Sequence, residues 1–358
     1  MAESKETRAR WTVAEADSWW AAQPWLVGCN FIPSTAANQL EMWQAESFDP
    51  QTLERELRFA ADLGFNTVRV YLHDLLFDQD ARGFRERVER FLDLADAVGI
   101  RTMFVLFDDV WSPSPVLGPQ AAPVPGRHNS RWVKSPGLPA LARYASDAGV
   151  RARLEAYVRG VVEAFGEDER VVVWDLYNEP GGFSTPGAEP VGERCLPLLR
   201  DVFDWAQSVS PRQPLTAGLW WNPLHPLPQP IHDLLLGRSD IVSFHHYGPA
   251  EDLEDLYARL RGWTERPLLC TEYMARNLES RFETHLPLFE KWRVGAICWG
   301  LVAGKTQTIH PWWSWLDDTP APEPEVWFHD ILRPDGAPHD QAEVDFLRGL
   351  LCARADGQ

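Results

Sequence analysis

The 358-residue chain has no CxxC pair, and its cysteines are odd in number: Cys29, Cys195, Cys270, Cys298 and Cys352. A disulfide framework or a cysteine zinc site is therefore not expected, and the thiols that fall in strand-like runs read as small buried apolar groups. Basic residues are scarce, with 34 Lys and Arg against 52 Asp and Glu and a formal charge of −18. That balance argues against nucleic acid and anionic membranes as partners, since both reward Lys and Arg. No apolar run approaches a membrane span. The opening stretch from Met1 to Arg10 is polar and mixed in charge; without an apolar core it is no signal peptide, and the expectation is a cytoplasmic protein. No Ser/Gly linker, charge block or internal repeat divides the chain, so one domain is expected over residues 1–358. Nor does a glycine-rich phosphate turn follow the first strand-like run, where the sequence is Asn30-Phe31-Ile32-Pro33-Ser34. Its absence argues against a doubly wound nucleotide-binding sheet.

What is present is a large core and much tryptophan. The chain is 45% hydrophobic and 24% charged, enough apolar material to fold fully. Its 18 tryptophans suit either the stacking faces of a sugar site or additional core packing. Strand-like runs occur at Leu26–Phe31, Thr67–Leu72, Thr102–Phe107, Val171–Tyr177, Leu215–Leu219, Ile241–His246, Leu268–Glu272 and Ala296–Trp299. Between them lie helical periods such as Leu154, Tyr157, Val158, Val161, Val162 and Phe165. This alternation, in a chain of this length, predicts a single (β/α)8 TIM barrel, with the doubly wound sheet as the alternative. Thr12-Val13-Ala14-Glu15 reads as a capping box opening a short helix over about residues 12–22, placed to plug the barrel floor. Long loops follow the third strand (Ser112 to Pro139) and the eighth (through His310-Pro311-Trp312-Trp313-Ser314-Trp315 to Trp327). Both would rise on the C-terminal face, where barrels build their sites.

Two strand ends carry the chemistry. Asn178-Glu179-Pro180 ends the fourth strand and Glu272 ends the seventh. Two carboxylates presented this way suit a division of labour in which one acts as acid while the other stays ionised. On the second strand Thr67, Arg69 and Tyr71 share one parity, which turns Arg69 inward, where a guanidinium needs an anion; Glu272 is the expected partner. On the sixth strand Ser243, His245 and Tyr247 share a parity, and a tyrosine hydroxyl there can donate to a carboxylate. Trp299, ending the eighth strand, offers a stacking floor, and Asn178 a hydrogen bond to a sugar 2-hydroxyl. His73, Asp108, Trp111, Trp220 and the tryptophans from Trp312 to Trp327 are further candidates for shaping the first sugar subsite, with loop packing as the alternative for each. A rival reading takes His245-His246 with His73-Asp74 and Asp108-Asp109 as metal ligands. The first strand, ending Gly28-Cys29-Asn30-Phe31, lacks the His-x-His that such a barrel wants, so no metal or cofactor is expected.

Arg on strand two, Asn-Glu-Pro on strand four, His-x-Tyr on strand six, Glu on strand seven and Trp on strand eight resemble the clan A glycoside hydrolases. The resemblance is closest to family 5, the cellulase and β-mannanase group. It implies Glu179 as acid/base, Glu272 as nucleophile, and Arg69, Asn178, His245, Tyr247 and Trp299 as the supporting shell. One departure stands out. Where many family 5 cellulases carry a His near the end of the third strand, this chain reads Phe107-Asp108-Asp109-Val110-Trp111, closer to the Asn-Asn-Trp of some mannanases. The resemblance thus implies a retaining β-glycosidase with carboxyl groups about 5–5.5 Å apart. The long loops suggest exo-action on short β-linked gluco- or manno-configured oligosaccharides. A transglycosylase would share every one of these residues, and a barrel that binds sugar without cleaving it would dispense with the glutamates. The outer helices carry no signal of oligomeric state.

Overall fold

A computed structural model describes residues 8–182, 190–220, 227–316 and 321–355. The strands are β1 (Val27–Asn30), β2 (Thr67–Tyr71), β3 (Arg101–Asp108), β4 (Val171–Asn178), β5 (Leu215–Thr216), β6 (Val242–His245), β7 (Leu268–Glu272) and β8 (Gly295–Trp299). They hydrogen-bond in the order β5-β4-β3-β2-β1-β8-β7-β6 with every ladder parallel. Between β5 and β6 the sheet closes through one residue. Leu219 N donates to Ser243 O and His245 N to Leu219 O, each at 2.9 Å. The result is the expected (β/α)8 barrel, each strand followed by a helix that covers its outer face.

The fifth strand is shorter than its apolar run suggests. Gly218 interrupts it, and a Cβ there would lie 3.2 Å from the His245 imidazole, so the backbone yields to a side chain of the site. Another glycine marks the tightest approach between strands. Gly28 pairs with Thr67, and a Cβ on it would come within 1.6 Å of the Thr67 carbonyl oxygen.

The lumen has two layers. At the bottom, Leu26, Met103, Val172, Val173, Ile241, Leu269 and Ile297 form an apolar plug with Ala16 of the helix Val13–Ala21. That helix opens with the predicted capping box, Thr12 accepting from Glu15 N and Glu15 returning to Thr12 N at 2.7 Å. Trp11, Trp19 and Trp20 pack against the plug from below. Above it the lumen turns polar, and there the site begins. No helix among the described residues is long and apolar enough to cross a membrane.

Because Gly28 leaves no room for a methyl group, Gly28→Ala is expected to cost about 3 kcal/mol or more of stability by forcing β1 and β2 apart. Urea unfolding of the purified variant checks this.

Candidate active site

Arg69 projects from β2 into the upper lumen and is fully buried. Its Nε and Nη2 both donate to Asp175 Oδ2, at 3.0 and 2.7 Å. Nη2 also reaches Asn178 Oδ1 at 2.7 Å, while Nη1 donates to Asn30 Oδ1 at 2.8 Å and Glu272 Oε1 at 2.9 Å. The expected pairing with Glu272 is therefore present, but Asp175 takes the larger share of the guanidinium. Asp175 is a polar residue in the middle of an apolar strand, and burial pushes its carboxyl above the usual range while Arg69 pulls it back.

Glu272 is surrounded by donors. Besides Arg69, Tyr71 Oη donates to Oε1 at 3.0 Å and Tyr247 Oη to Oε2 at 2.8 Å. Burial holds both phenols protonated, well above their usual range, so they remain donors. How Glu272 comes to face inward is a matter of register. Leu269 points into the lumen plug and Cys270 into the outer core. Strict alternation from there would send Glu272 outward. The β6/β7 pairing slips between Phe244–Cys270 and His245–Glu272, an irregularity that inserts Thr271 and turns Glu272 into the barrel.

Glu179 is placed by backbone strain. It has φ +43°, left-handed for a non-glycine residue and directly before a proline. Three contacts hold the turn: Gly182 N donates to Glu179 O at 2.8 Å, Gly181 N to Asp109 Oδ2 at 2.8 Å, and Trp220 Nε1 to Pro180 O at 3.1 Å. Glu179 is the more accessible of the pair, its side chain 18% exposed against 7% for Glu272. His245 lies between them. Its Nδ1 is 2.8 Å from Glu179 Oε1 and 3.5 Å from Glu272 Oε2. One oxygen from each glutamate and one His245 nitrogen lie within 4.8 Å of one another. Such a trio could also face a cation, but the carboxylate of Glu272 already has Arg69 and two phenols as donors.

Trp299, at the end of β8, stands in a cluster of aromatic rings. Trp299 meets Tyr71 and Trp132 edge-on, with ring centroids 5.9 and 5.6 Å apart. Trp132 sits in the long loop after β3, and no period in that segment points to it. Trp111 packs beside this cluster, with Trp315 and His128 as neighbours at 6.4 and 5.3 Å. Trp312 meets the Tyr247 ring edge-on at 4.9 Å.

Other expected residues have different work. His73 is fully buried; it accepts from Leu75 N at the start of the helix Asp74–Asp96, and its Nε2 faces Lys134 O at 3.0 Å. It caps a helix and does not reach the pocket. Trp220 braces the Glu179 turn, and Trp327 is buried against His339. Asp108 is 1% exposed and held entirely by protein donors, so it is no direct sugar ligand. His246 turns away to Pro249 O at 3.1 Å and stacks on His285, which dissolves the rival ligand set. Sequence reasoning missed Asn30, Tyr71 and Asp175 as members of the site, although Tyr71 shares the inward parity of Arg69.

The loops after β3 and β8 are laced together. Asn129 N donates to Thr306 O at 2.8 Å, Gly126 N to Gln307 Oε1 at 2.8 Å, and Gln307 Nε2 to Val124 O at 2.7 Å. Trp315 Nε1 donates to His128 O at 2.8 Å. The loop after β1 joins them, with Asn38 Nδ2 donating to Arg131 O at 2.8 Å and Lys305 N to Ser34 O at 3.0 Å. Since β1 and β2 lie between β8 and β3, the joined loops form a wall over that side of the mouth.

A barrel with these strand-end residues defines a glycoside hydrolase fold, and the family model described as Cellulase (glycosyl hydrolase family 5) matches residues 28–291. The chain belongs to glycosyl hydrolase family 5. Among curated proteins it is similar to mannan endo-1,4-beta-mannosidase 7 of Oryza sativa subsp. japonica, 23% identical over 176 residues. That match spans 45% of this chain and 42% of the rice protein. Among solved structures, a GH5_18 protein from Streptomyces cattleya in complex with Manβ1-4GlcNAc superimposes with a TM-score of 0.59 at 15% identity, covering 90% of this chain and 80% of that one. The exo-beta-1,4-mannosidase of Opitutaceae bacterium strain TAV5 gives a TM-score of 0.55 at 19% identity, covering 92% of this chain and 59% of that one. At these identities the structural likeness establishes the fold.

Arg69→Met would leave the Asp175 and Glu272 carboxylates buried without their cation, at an expected cost of about 3–5 kcal/mol near pH 7.5. Burial already raises the Asp175 carboxyl and loss of Arg69 removes what pulls it back, so the folded variant binds more protons there than the unfolded chain, and its deficit against wild type shrinks as pH falls towards 5. Urea titrations across that range read both effects.

Proposed function

We propose that this chain is a retaining β-glycosidase that removes single sugars from the non-reducing end of short β-linked oligosaccharides, with manno-configured substrates favoured over gluco-configured ones. The observation that carries the reading is the His245 bridge. One oxygen from each glutamate lies within 4.8 Å of the other, with one imidazole nitrogen 2.8 and 3.5 Å from the pair, a closeness that supports double displacement, for which the carboxyl groups stand about 5–5.5 Å apart. Glu179, at the mouth, protonates the departing glycosidic oxygen. Glu272 attacks the anomeric carbon and forms a glycosyl ester while the bond to the leaving group breaks. Glu179, now a carboxylate, takes a proton from water, whose oxygen attacks the same carbon and releases Glu272. Arg69, Tyr71 and Tyr247 donate to Glu272 and hold it aimed; Trp299 gives the sugar ring its stacking face.

Exo-action is supported by the wall of joined loops, which covers the mouth over β1 and β2. The manno preference is supported by the names of the rice relative, a mannan endo-1,4-beta-mannosidase, and of the Opitutaceae structure, an exo-beta-1,4-mannosidase. An oligosaccharide is then the natural partner.

Glu272→Gln is expected to lower turnover of a 4-nitrophenyl β-glycoside by roughly 10⁴-fold or more. Proton NMR of the wild-type reaction should show the β-anomer of the free sugar first. Glu179→Ala should regain activity on the activated substrate when azide is added, giving the β-glycosyl azide; α-sugar as first product, or an α-azide, would sink the retaining mechanism. Exo-action predicts monosaccharide release from β-1,4-mannobiose and mannotriose without a rapid fall in the viscosity of soluble mannan.

A further inference from the structure

Asp108 stands at the end of β3, beside the asparagine that precedes Glu179. Its two oxygens have divided duties. Oδ2 accepts from Trp132 Nε1 at 2.7 Å and from Gln39 Nε2 at 3.5 Å, which tie the carboxylate to the loops after β3 and β1. Oδ1 accepts from Val110 N at 3.2 Å and from Asn178 Nδ2 at 2.9 Å. Only the last of these reaches towards the chemistry.

Asn178 is an amide with an acceptor end and a donor end, and the two can exchange places by rotating about the terminal bond. Here its neighbours agree on one orientation. Arg69 Nη2, a donor that cannot lose its proton, requires the oxygen, at 2.7 Å. Asp108 Oδ1, an acceptor, requires the nitrogen. A flipped amide would set NH₂ against guanidinium and C=O against carboxylate, two mismatches at once. An amide nitrogen carries two hydrogens, and among the described residues only Asp108 accepts from this one. The second N–H is fixed in direction by the first.

We propose that Asp108 is a positioning residue for the reaction: it locks the Asn178 amide so that the remaining N–H is presented to the 2-hydroxyl of the sugar undergoing cleavage. Asp108 itself touches no substrate, because each of its oxygens is already engaged by protein donors. This assignment rests on the glycosidase reading above and extends it to a residue that the reaction scheme leaves unused. It also gives the Asp-Asp-Val-Trp sequence after β3 a division of labour. Asp108 holds the group before Glu179, and Asp109 holds the turn after it through Gly181 N at 2.8 Å.

The test compares kcat/KM on a 4-nitrophenyl β-glycoside of the accepted configuration with that on its 2-deoxy counterpart, for wild type and for Asp108→Asn. Contacts to the 2-hydroxyl strengthen in the transition state, so wild type is expected to favour the parent by roughly 100-fold after correction for intrinsic reactivity. Asn at 108 cannot satisfy Trp132 and Asn178 together, and the preference is expected to shrink by about tenfold, with the loss in kcat and on the parent substrate alone. Intrinsic reactivity of the 2-deoxy sugar cancels between the two enzymes. Equal losses on both substrates, or no loss on either, would overturn the assignment while leaving the glycosidase reading intact. Asp108→Ser is read in the same way should the Asn variant fail to fold, as judged by circular dichroism. If wild type turns over no β-glycoside, the functional reading fails first and this assignment goes with it.

Discussion

A guanidinium fully removed from water sets the terms for the upper half of this barrel. Arg69 arises on β2, and its partners come from β1 (Asn30), β4 (Asp175 and Asn178) and β7 (Glu272). One planar, permanently charged fork thus joins four strands across the lumen, where the lower layer uses branched apolar side chains for the same purpose. A lysine could not do this; its ammonium is a point charge with no fixed fork geometry. The arrangement is costly unless every donor is matched, and here Nε, Nη1 and Nη2 all find oxygen. The polar layer is thereby both the structural seal above the plug and the frame that orients the two carboxylates.

The glutamates reach that frame by departures from regular structure. Glu272 is turned inward by an extra residue in the β6/β7 pairing, and Glu179 by a left-handed turn before proline. Strain of this kind persists only when neighbours over-determine it. Asp109, Trp220 and the Gly182 amide do so at Glu179. The burial that raises the Asp109 carboxyl is eased by the Gly181 amide, the Tyr177 hydroxyl and the nearby Lys134. His245 then spans the two carboxylates, and Gly218 keeps the space its ring needs.

Much of this was legible in the sequence because barrels write themselves in alternation. The strand runs, the capping box at Thr12 and the inward parity of Arg69, His245 and Tyr247 follow from period-two and period-3.6 patterns. The same parity contained Tyr71, and a lone aspartate within Val-Val-Val-Trp-Asp-Leu-Tyr was a signal for Asp175 that went unread. Glu272 is a different case. Its type and position marked it, yet alternation from Leu269 gives it the wrong face, and a register slip depends on the partner strand. Trp132 and His128 lie in a Pro-rich loop with no period, where only tertiary hydrogen bonding decides what points inward. His73 misled because a histidine at a strand end looks the same whether it meets a ligand or caps the next helix. Burial pushes Asp108 up to about 7 against its several donors, a balance that no linear reading reveals.

The joined loops have a kinetic corollary. On the proposed exo-action, the two halves of a cleaved substrate would leave in a fixed order. The outer half would leave first, and the sugar esterified to Glu272 would remain behind until water or another hydroxyl arrives. An enzyme of that kind would not slide along a polymer between cuts. Each event would be a separate visit, with the vacated mouth open to whichever acceptor is most abundant outside.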